Sequence, residues 1–589
     1  INEIIIAPHD NTPLSLSDTG FMGFVTENKP YAGKIGFAGT FTDYITLDKS
    51  LFNYLSQDAD VGKLNLKASN NTKAPILADN FVKGDSAESS ESHSISLKLA
   101  LATNKAETED GEKEFSKFGG IIGTMRPETA LSLSVECELK DGNQAVKYAV
   151  EGSGNRGFFC NTMGDNSSLS VEQVTVNNNY NVTSSDADAG AFVGHMNTGA
   201  SLTVNCDFTY MGVVTGKNNA GGLAGCADNN SNIFLNKSYS VGDGTGDAGD
   251  AGGTDATINS TNGNAGGLIG KATDVSFTFG ENISTVINAT IAAKDGTPGG
   301  AAGGLIGSCI YNANTTGNTG STVVAKNVNL NLDKFIIKKA DITSGQCSGG
   351  VFGVLENKSE EGKITLTGAY NGSDNSGAIN DIKSSGKNST HYGGLIGKYQ
   401  ADSLKASLII EGLKVFSIHS TEKTSYGGVI ACVDKNCYVQ VKNLDIVVQQ
   451  DSNNGSYFGG VIAYGTGSSL FDIGTVAVKD NKNSPKVAGT AYGGIIGNLG
   501  DGVLRLSGRT DLSGLKYFEQ FPEYGQIVGT RGAGLIYALG NGLDYNETSN
   551  TGWNLVRNDG VSYISDVGNW GEVVRLDGDK LSETKNAGE

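Results

Sequence analysis

Apolar and polar positions alternate along this chain in short bursts. From Gly427 to Phe458 three apolar pieces follow one another, "GGVIACVDKN", "CYVQV" and "KNLDIVVQQ", closed by the polar turn "DSNNGSYF". The preceding stretch reads "GGLIGKYQAD", "ASLII", "EGLKVFSI", and the following one "GGVIAYGTGS", "SLFDI", "GTVAVKD". The pieces are short, rich in β-branched residues and bounded by Gly, Asn, Asp or Ser, which predicts strands. No segment sustains a 3.6-residue apolar period with caps, so helix is a poor reading.

The pattern is a repeat. The first glycine of a Gly-Gly pair, or of its Gly-x variant, falls at Gly119, Gly190, Gly221, Gly266, Gly303, Gly349, Gly393, Gly427, Gly459, Gly493 and Gly525. The first gap, of 71 residues, is close to two repeats and implies one degenerate copy between. Three short strands in a unit of about 32 residues, many times over, predict an all-β parallel β-helix (β-solenoid). Each coil buries its apolar side against its neighbours, and strands one repeat apart pair in parallel. The hand expected is right, the general preference of parallel crossovers. The glycines would permit tight corners and close backbone approach.

The register follows from a shift of 31 residues. Leu408 then meets Val439, Ile410 meets Val441, Leu413 meets Leu444 and Val415 meets Ile446. Between them Glu411 falls beside Lys442, and Lys414 beside Asp445. By analogy with other strand neighbours such pairs are worth roughly 0.2–1 kcal/mol each.

Short "GGLIG" repeats, at Gly266–Gly270, Gly303–Gly307 and Gly393–Gly397, with "GGIIG" at Gly493–Gly497, resemble the Gly-Leu-hydrophobic-Gly (GLUG-type) motif of bacterial surface repeat proteins. The Gly-Gly-apolar pattern is also faintly similar to that of polymorphic outer-membrane adhesins, whose companion Phe-x-x-Asn motif is not repeated here. The first resemblance covers most of residues 118–540. It implies a secreted or cell-surface β-helical protein, extracellular and bacterial, and part of a larger polypeptide. It supplies no catalytic residues.

Composition sharpens this picture. Gly is 84 of 589 residues and Pro only 8, which suits strands joined by many turns rather than a proline-rich linker. Lys and Arg total 44 against 63 acids, a net charge of −19, so nucleic acid is not an expected partner. No apolar run approaches the ~20 residues of a membrane-crossing helix. The opening "INEIIIAPHD" has no initiator Met or signal-peptide pattern and reads as mature, or as a piece of something longer.

The candidate chemistry is thin. The eight cysteines (137, 160, 206, 226, 309, 347, 432 and 437) form no Cys-x-x-Cys pair and stand apart from the five scattered histidines. They read as buried free thiols, with a Cys432–Cys437 disulfide unsupported, and no metal site is expected. The insert Gly242–Gly267 carries Asp243, Asp247, Asp250 and Asp255, but it meets neither the calcium nonapeptide pattern nor that of an EF-hand, so it reads as a surface loop. Asp472 is the only acid squarely inside a strand of the clean region; it has no acidic partner one coil away and reads as a solvated outward side chain. No phosphate loop, dinucleotide fingerprint or Ser-His-Asp motif is present, so no cofactor is expected.

The residue before the glycine pair is Ala189, Ala220, Ala265, Ala302 and Ser348 in the first half, then Tyr392, Tyr426, Phe458, Tyr492 and Tyr524. Stacked coils would make the second set an aromatic ladder whose rings pack one another. The alternative is a strip on which sugar faces lie.

These features divide the chain into 1–117 (N-terminal cap and degenerate coils), 118–540 (β-helix repeats with loop inserts) and 541–589 (a C-terminal cap or a junction). The leading functional expectation is a non-catalytic adhesin or rigid fibre shaft, a rod of roughly 60–70 Å at the ~4.8 Å strand spacing. Its side loops, chiefly the inserts after Gly221, Gly303 and Gly349, would bind host or environmental glycans or surface proteins. The alternative is a carbohydrate-active β-helix, a polysaccharide lyase or hydrolase, which needs paired carboxylates on one face. Ice binding would need a regular Thr array that the chain lacks.

Overall fold

The structure is a computed structural model. It describes residues 49–61, 63–68, 73–84, 93–101, 116–137, 148–242, 256–294, 299–312, 327–370, 382–387, 390–419, 425–450, 455–481, 489–508, 510–515 and 527–530, with isolated strand pieces before 49, within 140–145 and after 530. Most of each of the three inserts, including Asp243, Asp247, Asp250 and Asp255, lies outside the described residues, as do Tyr524 and Trp570. The fold is all-β. The only helical piece among the described residues is one 3-10 turn, Leu332–Lys334, and no helix is long and apolar enough to cross a membrane. Two compact units are distinguished, Ile1–Thr285 and Val286–Glu589.

In the first unit the stacked strands pair in parallel with their counterparts one repeat later, as a β-helix requires, while Lys140–Asp141 and Gln144–Ala145 form an antiparallel pair of their own. One sheet runs Phe52–Ser56, Ala78–Val82, Ile122–Met125, Cys160–Met163, Val193–Met196, Ala224–Ala227 and Ile269–Thr273. Regular coils therefore reach back into the region before residue 117. The degenerate copy implied by the 71-residue gap is at Gly157, which pairs with Gly190. A second sheet stacks Leu131 on Leu169, Leu202 and Ile233 in register, all 0 or 1% exposed. The position before Gly190, Gly221 and Gly266 holds a buried alanine, and rings, most of them from other positions, fill the core. Phe158 meets Tyr180 at 4.6 Å between centroids, Phe159 meets Phe192 at 4.6 Å and Tyr180 meets Tyr210 at 5.0 Å.

The second unit repeats the principle. Ile306, Phe352, Ile396, Ile430, Ile462, Ile496 and Val528 form one buried column. All six pairings expected from the 31-residue shift occur between Ser407–His419 and Tyr438–Gln450. These 13-residue strands are bent in the middle by left-handed residues, Gly412 at φ 71° and Asn443 at φ 54°. In the next repeat the same span is two strands, Leu470–Ile473 and Val476–Asp480. Glu411 forms its ion pair with Lys442 at 3.0 Å. Asp445 pairs instead with Lys479 one coil further on, at 3.1 Å, while Lys414 lies over the Tyr370 ring. Such exposed pairs add little, typically 0–1 kcal/mol each. Near the end of the unit the regularity stops: Trp553–Leu555 runs antiparallel to Thr510–Gly514, and Val573–Asp577 antiparallel to Lys580–Lys585.

The glycine pair is explained by space. Neither Gly427 nor Gly428 has a left-handed φ. A Cβ on Gly427 would fall on the carbonyl of Ile430 across its own corner, and one on Gly428 on the carbonyl of Gly460 in the next coil. The corners bond coil to coil at these points, Gly428 N–H donating to Gly459 O at 3.0 Å and Val429 N–H to Val461 O at 2.9 Å.

Candidate functional site

Four rings of the expected ladder stack as a column. Centroids are 5.7 Å apart for Tyr392 and Tyr426, 5.4 Å for Tyr426 and Phe458, and 5.6 Å for Phe458 and Tyr492. All are at most 2% exposed, so none of the four offers a face to a sugar. Tyr524 lies outside the described residues.

Asp472 corrects its reading. It is 1% exposed rather than solvated, because its column neighbours in the adjacent coils, Gln440 and Arg505, cover it from both sides. Its carboxylate pairs with Arg505 Nη2 at 3.0 Å and accepts from Gln440 Nε2 at 3.1 Å and Ser507 Oγ at 2.5 Å. An acid so occupied holds coils together and is not placed to donate a proton to a glycosidic oxygen.

The chemistry-bearing side chains gather elsewhere, on two columns flanking the motif. One column is the residue two before the first glycine, and the other is the residue just after the five-residue motif. In the first unit they bring together Asp188 and His195 of one coil with Cys226 and Asp228 of the next. His195 Nδ1 lies 2.8 Å from Asp188 Oδ2, and Nε2 lies 3.0 Å from Asp228 Oδ2. Cys226 is the strand partner of His195, and its Sγ is 3.7 Å from Asp228 Oδ1. One ligand atom each from Asp188, His195 and Cys226 fall within 4.8 Å of one another, the one such grouping of metal-ligating types among the described residues. This corrects the reading that set the cysteines apart from the histidines.

The surroundings hold the site in place. Asp188 is 6% exposed. Its backbone N–H donates to Asn155 Oδ1 at 3.3 Å, and its Oδ1 accepts from Asn219 Nδ2 at 2.8 Å. Asn219 Oδ1 accepts in turn from Asn264 Nδ2 at 3.1 Å, extending a polar ladder along the same column. Burial opposes charge on His195, but the Asp188 and Asp228 carboxylates overcome it and push the imidazole up to about 12. The His195 hydrogen bond holds Asp228 below the usual carboxylate range. Burial raises the Cys226 thiol.

The second unit carries a variant on the same columns. Cys432 and Asp434 repeat the Cys-x-Asp spacing of Cys226 and Asp228. The cation from the preceding coil is Lys398, 2.8 Å from Asp434, where the first unit has His195. The position of Asp188 is taken by His391, whose Nε2 is 3.3 Å from Tyr464 Oη. Burial, helped by Lys398 and only partly countered by Asp434, lowers His391 from its ordinary 6.5 to about 4. The folded chain thus binds this proton less well than the unfolded chain. The stability that comes from neutral His391 is complete above pH ~6.5 and is lost as pH falls toward 4, about 2 kcal/mol of it by pH ~5. Urea unfolding of wild type and His391→Gln at neutral pH and near pH 5 should show the smaller acid loss in the variant. Equal losses in both would assign the acid sensitivity to other groups.

Scanning the sequence for Cys-x-x-Cys pairs and clustered histidines does not reveal these residues, since each coil supplies only one or two of them. The legible signal is the Cys-x-Asp that follows the motif twice, in "GGLAGCAD" and "GGVIACVD". The eight cysteines are free, seven of them buried and Cys206 half-buried. No protein-family model matches this chain, and neither does any curated protein or any solved structure.

Proposed function

We propose that this chain is a non-catalytic β-helical protein of the bacterial cell surface, an adhesin or rigid fibre shaft. Each coil has three faces and winds right-handed, and the inserts after Gly221, Gly303 and Gly349 contact glycans or surface proteins. The observation that carries the reading is the unbroken parallel register of buried columns within each unit, such as Ile396 to Val528. Such stacking makes a stiff repetitive spacer, on which many weak lateral contacts add up to avidity. The locked state of Asp472 supports the same reading, because this buried strand carboxylate is committed to Arg505. The GLUG-type resemblance supplies the extracellular setting.

The test is a glycan array and a surface-protein screen on the intact chain, run beside assays for reducing ends and unsaturated sugar products. Saturable binding without product release is the expected result. Steady release of unsaturated or reducing ends would replace the proposal with a lyase or hydrolase.

A further inference from the structure

We propose that Asp188, His195 and Cys226 form a binding site for a zinc-class divalent metal that clamps two adjacent coils of the first unit, with Asp228 as the carboxylate that orients the imidazole. The donor set combines carboxylate, imidazole and thiolate, which suits a borderline ion such as Zn²⁺ rather than calcium or magnesium. The three donor atoms already lie within 4.8 Å of one another, and tetrahedral zinc with its usual bond lengths holds ligand atoms ~3.3–3.8 Å apart. Small side-chain rotations close that difference.

The geometry around His195 asks for a cation. Both ring nitrogens face a carboxylate oxygen, at 2.8 and 3.0 Å. A neutral imidazole has one lone pair, which would point at one of those anions. The arrangement is satisfied by two ring protons, or by one proton and one metal ion. In the second case one carboxylate remains the hydrogen-bond partner that orients the ring, the usual outer support of a metal-bound histidine. On binding, the Cys226 thiol proton and one His195 ring proton pass to solvent, and no electron changes hands.

The adjacent thiol favours the metal over the second proton, because an imidazolium between two carboxylates has no need of Cys226. The second unit makes the contrast. It keeps the Cys-x-Asp pair, but Lys398 stands in place of the imidazole, and an ammonium supplies the charge without ligating. Support on the far side of Asp188 comes from Asn219, a positioning residue that is itself 9% exposed.

The experiment is a Co²⁺ titration of the chelator-treated full chain, followed by Zn²⁺ displacement. Wild type should take one Co²⁺ with a thiolate-to-cobalt charge-transfer band in the near ultraviolet, and Zn²⁺ should bleach it. Cys226→Ser should abolish the band and His195→Asn should weaken binding at least ~100-fold. Asn219→Ser should weaken it roughly 10–100-fold, as loss of an outer-shell partner does. Cys432→Ser and Cys206→Ser should leave the band unchanged. Zn²⁺ should also raise the thermal midpoint of wild type but not of Cys226→Ser. Wild type that takes no Co²⁺ and shows no Zn²⁺-dependent midpoint, or a band that survives Cys226→Ser, would overturn the proposal and leave an ion-paired triad only. The wild-type result decides even if a variant fails to fold.

Discussion

Gly428→Val should abolish cooperative folding of the second unit, or lower its stability by more than about 4 kcal/mol, the range reserved for clashes that backbone cannot relieve. A side chain at this point has no free direction. Its Cβ would meet the Gly460 carbonyl in the next coil and, within its own coil, the methyl groups of Ile446 and Val448. Moving the next coil away would break the Gly428–Gly459 and Val429–Val461 backbone bonds. In a stacked array such a break removes the nearest-neighbour interface on which both coils depend. Gly467→Ala is the control: it sits in a turn at φ 65°, and its Cβ would lie 3.1 Å from the Asn436 side-chain oxygen and 3.3 Å from the Lys435 carbonyl oxygen, with no overlap like that at Gly428. It should cost the ordinary ~1–2 kcal/mol of a left-handed alanine. Denaturation followed by circular dichroism separates the two. A Gly428→Val midpoint equal to wild type would show that the coils are not packed through this corner.

The same geometry explains what could be read in advance. Parallel stacking makes a side chain's neighbour its counterpart one repeat later, so repeat spacing and apolar alternation are enough to place Ile410 on Val441. The pattern says less about what covers a residue from above and below. Asp472 looks outward within its own strand and becomes buried only because Gln440 and Arg505 share its column. Likewise Asp188, His195 and Cys226 are unremarkable within their own coils and meet only across the coil boundary. The first unit's core rings were missed for a related reason. They occupy several motif positions, at Phe158, Tyr180, Phe192 and Tyr210, so no single column of the repeat displays them. The Cys-x-Asp pairs lie just outside the glycine motif, where the repeat is most variable.

Tyr426→Ala should destabilise the second unit by about 3–5 kcal/mol, as emptying a large aromatic site in a core does. The ring is fully buried, held between Tyr392 and Phe458, and its hydroxyl donates to Ser417 O at 2.7 Å. Tyr426→Phe keeps the ring and should lose only about 1 kcal/mol, the net worth of one hydrogen bond. Leu404→Ala, at a site 46% exposed, should change stability by no more than ~0.5 kcal/mol. The series also decides between the two readings of the ladder. A sugar platform would lose glycan binding in Tyr426→Ala while the unfolding midpoint stayed put, because a binding ring is open to solvent and supports little of the core. A packed column does the reverse: its midpoint falls steeply, and any glycan bound by the side loops is retained for as long as the unit stays folded. Equal midpoints for Tyr426→Ala and wild type would move the ring out of the core and reopen the sugar-binding reading.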